Sequence, residues 1–170
     1  MKFQKITEHD VSNGKGIRVV LWVSGCTVKC KGCYSPQTWN FNSGTEYTQE
    51  TEDYIIKCLS KPYITGLSIS GGNPTDNLLD DWLVQLVKRV KKELPHLTIY
   101  SWSGHYIEDI IDEPNVREFL SYVDMLRDGK FEEDKLNLKQ HLQGSENQRY
   151  VDCKKFLEYG EYYEYDFEGE

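Results

Sequence analysis

Three cysteines, Cys26, Cys30 and Cys33, fall within eight residues in the pattern Cys-x3-Cys-x2-Cys. Thiolates this close on one loop can grip a single metal centre. In a chain with no sign of a secretory leader they point to metal or redox chemistry rather than to structural disulfides. A structural zinc ion wants four nitrogen or sulfur ligands, commonly as two separated pairs. No second Cys-x2-Cys pair exists, and His9, His96, His105 and His141 all lie away from the loop in sequence. Zinc therefore needs a distant histidine or Cys153 to fold in. A four-iron cluster prefers four thiolates, and with three of them one iron keeps an open coordination position where chemistry can happen. Spacing alone leaves both open, the iron–sulfur site being the better fit. Cys58 lies in a helical pattern and reads as a small buried apolar side chain.

The cysteines follow a compact apolar run at residues 18–23, which reads as a buried strand. Three further suggestive segments also follow strand-like runs. Residues 66–70 end in Gly71-Gly72-Asn73-Pro74, residues 97–102 in Ser103-Gly104, and residues 122–126 lead to Asp128-Gly129. Helices are expected between them. Residues 48–60 carry Tyr54, Ile55, Cys58 and Leu59 on one face, with Thr48 or Thr51 as cap. Residues 78–94 place Leu78, Leu79, Trp82, Leu83, Leu86, Val87, Val90 and Leu94 on another, stopped by Pro95. Residues 106–112 and 115–122 read as short helices with Pro114 between them. This alternation predicts an α/β fold, a mostly parallel sheet with helices outside. Ligands in such folds gather at the C-terminal ends of strands, where all four segments fall.

Composition narrows the function classes. The 170 residues are 38% hydrophobic and 28% charged, an ordinary globular balance with enough chain for one core. No apolar run approaches the ~20 residues of a membrane span, and the first residues lack the apolar stretch of a secretory signal, so a cytoplasmic protein is expected. The net charge of −8 argues against a nucleic-acid reader. Lys88, Arg89, Lys91 and Lys92 read as the dipole complement of a helix end. Six acids and no base lie in residues 158–170, which leaves −2 on residues 1–157. We therefore expect one domain over 1–157 followed by a solvated, acidic, tyrosine-rich tail.

Cys-x3-Cys-x2-Cys at the end of a first strand resembles the signature of the radical S-adenosylmethionine (SAM) enzymes. The rest resembles one branch of them, the activases of anaerobic ribonucleoside-triphosphate reductase, over most of residues 8–152. Residues 13–26 are similar to that branch's first strand, Cys30-Lys-Gly-Cys33-Tyr34 and Thr38-Trp39 to its cluster loop, and residues 70–74 to its glycine motif. Asp128-Gly129-Lys130-Phe131 and residues 144–149 are similar to its later motifs. The resemblance implies a [4Fe-4S] cluster on Cys26, Cys30 and Cys33, with SAM on the open iron. Reductive cleavage then gives methionine and a 5′-deoxyadenosyl radical, which takes hydrogen from a backbone glycine of the reductase. A partner in the reductase large subunit and a low-potential electron donor are implied, with no nucleic acid and no membrane. An activase of another glycyl-radical enzyme, of formate-lyase type, and a non-catalytic zinc module are the alternatives.

The resemblance also suggests contacts for SAM. Gly71 and Gly72 let the backbone approach closely, and Gly72 would present its carbonyl to the SAM amino group. Asn73 stands where the wider superfamily often has an acid, and its uncharged amide offers no carboxylate–ammonium contact. Gly32 stands where many relatives carry an aromatic residue, and Tyr34 could supply that surface against adenine. Ser101, Ser103 and Gly104 are further candidate contacts. His105 reads as an ordinary surface or core histidine, and Arg149 as a partner for a ligand carboxylate or a structural ion pair. At 170 residues the chain is short of the ~250 of a closed (β/α)8 barrel. The expectation is a partial, open (β/α) barrel of radical SAM type, able to admit a protein loop.

Overall fold

The computed structural model describes residues 1–142 and 144–169. Strands β1 (Lys2–Asp10) and β2 (Ile17–Val23) form an antiparallel pair, and β3 (Thr45–Glu46) adds to the free edge of β1. Helix α1 (Gln49–Leu59) leads to β4 (Ile64–Gly71), helix α2 (Trp82–Glu93) to β5 (Thr98–Trp102), and helices α3 (Ile107–Ile110) and α4 (Pro114–Tyr122) to β6 (Met125–Asp128). A small hairpin, β7 (Leu136–Asn137) and β8 (Gly144–Ser145), precedes β9 (Arg149–Asp152) and helix α5 (Cys153–Tyr159). The main sheet runs β3-β1-β2-β4-β5-β6-β9. Strands β2, β4, β5 and β6 are mutually parallel, and β9 closes the far edge antiparallel to β6. The chain is thus mixed α/β with a mostly parallel central sheet, as expected.

Side chains alternate across these strands and divide the sheet into two unlike faces. One carries Val19, Leu21, Val23, Leu67, Ile69, Ile99 and Leu126, and packs on Ile55, Leu59, Leu83, Leu86, Val90 and Phe119 from the helices. The other carries Arg18, Trp22, Ser68, Ser70, Tyr100, Trp102 and Arg127. Arg18 is fully buried there. Its guanidinium donates to Ser68 Oγ (2.8 Å), Leu67 O (2.8 Å) and Thr98 O (2.9 Å), and it stacks 3.8 Å from the Tyr100 ring centre.

Local chemistry sets the helix ends. Thr48 caps α1, its hydroxyl accepting from Thr51 N–H while Thr51 Oγ1 accepts from Thr48 N–H, a reciprocal capping box. Helix α2 starts at Trp82 and not at Leu78, a correction to the sequence reading. Asp81 stands before it in the left-handed region, with φ 58°, which breaks the periodicity. Leu78 is buried in the resulting turn, while Leu79 is 94% exposed. Pro114 is the first residue of α4 rather than a spacer, where its missing N–H costs nothing.

Residues 158–169 run back along the sheet edge. Asp152 N–H donates to Tyr163 O (2.9 Å) and Tyr165 N–H to Tyr150 O (2.8 Å). Phe167 packs edge-on against Tyr100, Tyr150 and Tyr165. Glu170, the last acid of the tail, lies outside the described residues. Among the described residues no helix is long and apolar enough to cross a membrane.

Candidate functional site

The chain leaves β2 through Ser24-Gly25 and enters the cysteine loop at once. Gly25 N–H donates to Thr38 O (2.7 Å) and Cys26 N–H to Trp39 O (3.1 Å), while Asn73 N–H donates to Gly25 O (2.8 Å). Residues 25–26 are thereby clamped between the segment that follows the loop and the turn that follows β4. Cys26 is buried, and burial pushes its thiol pKa up against the opposing pull of the Lys29 and Val28 backbone N–H groups. Cys30 and Cys33 are half-buried; their turn closes through Cys33 N–H to Cys30 O (3.2 Å), and Ser35 N–H donates to Cys33 Sγ at 3.4 Å.

The glycine pair is what lets β4 end against this loop. Gly71 has φ +103°, and a Cβ on Gly72 would lie 2.3 Å from the Gly25 carbonyl oxygen. Asn73, next along, is 2% exposed. Its Oδ1 accepts from Gly104 N–H (3.3 Å) and from the Thr75 hydroxyl (3.2 Å). Because a backbone N–H can only donate, the atom facing Gly104 is the oxygen, and Nδ2 is left as a donor. That nitrogen is buried without a partner.

Ser103 shares a hydrogen bond with Thr75 (2.9 Å) and accepts from His105 N–H (3.1 Å). His105 Nε2 lies 3.2 Å from Asp76 Oδ1, and Asp76 Oδ2 accepts from both Thr27 N–H and Thr27 Oγ1 at 2.8 Å. This histidine therefore tethers the turn after β5 to the cysteine loop.

These parts surround a cavity of about 320 Å³ over the polar face of the sheet. Cys26, Cys30, Cys33, Tyr34, Gly71, Gly72, Asn73 and Ser103 all line it, as does Gly104. Gly32 and Ser101 do not. Gly32 sits in an exposed turn (φ +73°) beside Glu133. Ser101 alternates with Tyr100 and Trp102, so it points to the other face, fully buried with its hydroxyl 3.5 Å from Ile69 O. Tyr34 is 67% exposed, its ring 5.4 Å from that of Phe131. Arg149 is engaged within the fold. It donates to Asp128 at 3.0 and 2.6 Å and to Glu108 at 3.1 and 2.7 Å, and these carboxylates push its pKa up, Asp128 foremost.

Among the wall residues that the sequence reading did not single out for the site are Trp22, Ser70, Trp102 and Arg127. Trp22 pairs with Ser70 and Trp102 with Arg127 across adjacent strands, so they form a transverse row beneath the cysteine loop. Arg127 is buried and donates to His141 O (3.0 Å), Tyr150 Oη (2.8 Å) and Gln140 Oε1 (3.1 Å). Period-two alternation along each strand was the available signal.

Three free thiols on one loop beside a cavity fit a cluster. A zinc ion gathers its sulfurs about 2.3 Å from one point. Among the described residues no three His, Cys, Asp or Glu side chains are placed to hold one metal ion. A cubane takes each thiolate at a separate iron, so its ligands can stand further apart, and its sulfurs accept hydrogen bonds. Two buried donors in the cavity wall, Trp39 Nε1 and Asn73 Nδ2, lack acceptors among the described residues, as donors awaiting an acceptor-bearing occupant would.

Fold and site together define an α/β protein with an iron–sulfur-type cysteine loop at a strand end, above a cavity. The family described as "4Fe-4S single cluster domain" matches residues 12–151. The chain is 41% identical over 150 residues to the anaerobic ribonucleoside-triphosphate reductase-activating protein of Vibrio cholerae serotype O1, covering 87% of this chain and 96% of that one. It is 41% identical over 149 residues to the protein so named in Enterobacteria phage T4 (88% and 92% covered). It is 35% identical over 152 residues to that of Escherichia coli K12 (87% and 96%). The chain belongs to the family of anaerobic ribonucleoside-triphosphate reductase-activating proteins, built on a 4Fe-4S single cluster domain. The zinc alternative falls with this match.

Proposed function

We propose that this chain activates an anaerobic ribonucleoside-triphosphate reductase as a radical SAM oxidoreductase. The observation that carries the reading is the joint placement of Cys26, Cys30 and Cys33 with Gly71, Gly72 and Asn73 on one cavity wall. In this reading a [4Fe-4S] cluster supplies, when bound, the electron that splits SAM into methionine and the 5′-deoxyadenosyl radical that draws hydrogen from a glycine of the reductase large subunit.

The chain's own residues bind, orient and exclude water. Cys26, Cys30 and Cys33 are the residues that would hold the cluster, one short of a full thiolate set. Gly72 offers its carbonyl to the SAM amino group. Asn73 Nδ2 can only donate, so it serves a ligand oxygen, for which the methionyl carboxylate is the nearest in kind. Tyr34 and Phe131 form an apolar surface suited to adenine, with Ser103 lining the cavity further along. Trp22 and Trp102 set two apolar rings in a cavity floor that also carries Ser70 and Arg127. The packed core lies on one side of four parallel strands, which supports a partial, open-sided (β/α) barrel whose free side admits a polypeptide loop. A low-potential electron donor is the remaining partner.

The test is anaerobic reconstitution with iron and sulfide, followed by reduction in the presence of SAM. Brown protein that releases methionine and 5′-deoxyadenosine is expected, with both products lost in Cys30→Ala. Colourless protein holding one zinc per chain would overturn the reading.

A further inference from the structure

Trp39 is not used by the reading above. Its carbonyl accepts from Cys26 N–H (3.1 Å), the residue lines the cavity with the three cysteines, and its indole N–H is buried without an acceptor. An indole N–H can only donate, and a buried donor left unpaired carries its full desolvation penalty. Such orphaning is not general in this wall, since the Trp22 indole donates to Thr7 Oγ1 at 3.0 Å.

The sulfurs nearby already attract donors. Ser35 N–H reaches Cys33 Sγ at 3.4 Å, and the Lys29 and Val28 backbone N–H groups act on the Cys26 thiol. Trp39, joined to Cys26 through the backbone, adds a further donor beside this loop. The acceptor that chemistry offers there is sulfur bearing negative charge.

We propose that Trp39 Nε1–H donates to a sulfur of the bound cluster and thereby raises its reduction potential. The inference rests on the cluster assigned to the cysteine loop, and it is independent of SAM cleavage. A hydrogen bond to cluster sulfur favours the more negative, reduced form, because added charge strengthens the bond. Trp39 is a positioning and tuning residue in this account and takes no part in bond breaking.

The experiment is a redox titration of the reconstituted protein without SAM, followed by electron paramagnetic resonance, comparing wild type with Trp39→Phe. At equal iron and sulfide per chain, the variant's reduction equilibrium should shift about tenfold towards the oxidised form, equivalent to about 59 mV for one electron. An unchanged potential at equal cluster content overturns the proposal. If phenylalanine lowers loading, position 39 is filled with benzothienylalanine, which keeps the bicycle and lacks the N–H. The same negative shift supports the proposal, and a wild-type potential overturns it. Wild-type protein that takes up no cluster overturns this proposal and the cluster assignment together, whereas failure to cleave SAM counts only against the proposed function.

Discussion

The backbone N–H of Asn73 donates to the carbonyl of Gly25 at 2.8 Å. This bond joins the turn after β4 to the first residues of the cysteine loop. Asn77 Nδ2 reinforces it, donating to the same oxygen at 3.1 Å and to Asn73 O at 3.0 Å. The cluster loop and the glycine motif are therefore one mechanical unit.

Gly72→Ala should break that unit. The new Cβ would sit 2.3 Å from the Gly25 oxygen and 2.9 Å from its carbonyl carbon, both backbone atoms. Overpacking of this kind costs about 1–3 kcal/mol. Urea denaturation should show a loss in that range, and iron bound per chain should fall on reconstitution. Wild-type stability with full iron would contradict the account.

Asp128 is fully buried, and Arg149 is its one cationic partner among the described residues. Arg149→Met leaves that carboxylate with only the Ile107 N–H, at 2.9 Å. Removing one member of a buried pair costs about 3 kcal/mol. A denaturation midpoint that stays put would show the pair to be dispensable.

Glu108 supplies a pH signature for the same network. Hydrogen bonding to Arg149 holds its carboxyl below the ordinary value of 4.5. Its folded value is thus lower than its unfolded one. The resulting stabilisation is complete above the unfolded value and is lost as pH falls through the folded one. The stability difference between wild type and Glu108→Gln should be constant at neutral pH and shrink in acid, as read from urea midpoints across the range.

The tail yields a prediction about packing. Phe167 touches Tyr100, His141, Tyr150 and Tyr165, and Lys15 Nζ donates to its carbonyl at 2.7 Å. Phe167→Ala should cost about 1–2 kcal/mol, given the worth of such aromatic pairs. No change in thermal midpoint would mean that residues 158–169 contribute nothing to the body.

How far the sequence could be read depended on how regular each signal was. Residues 18–23 and 78–94 carry dense apolar patterns; the first formed the expected strand, and the second formed the expected helix from Trp82 onward. Strand β1 escaped because Lys2–Asp10 is polar on both faces and only half-buried, with two register shifts against β2. Strand β9 and helix α5 are short and are held by tertiary contacts with β6 and α4, which local propensity does not reveal. At the site, Cys26, Cys30 and Cys33 were legible because their spacing is itself chemical information. The Trp22, Ser70, Trp102 and Arg127 row was not, because which face of a parallel strand meets a cavity depends on where the helices pack. Ser101 was misplaced for that reason, one residue out of phase with the cavity-facing row. The Asn73 donor became visible only when Gly104 N–H fixed the orientation of its amide.

The central claim is that this chain places a radical on a reductase glycine. The direct measurement mixes the reconstituted, reduced protein with SAM and the large subunit of an anaerobic ribonucleoside-triphosphate reductase under anaerobic conditions. Electron paramagnetic resonance then reads the product. The account predicts a glycyl-radical doublet on the reductase that requires SAM and vanishes with Cys26→Ala, Cys30→Ala or Cys33→Ala. SAM cleavage at full rate with no doublet on the reductase, or a doublet that survives loss of these cysteines, would contradict it.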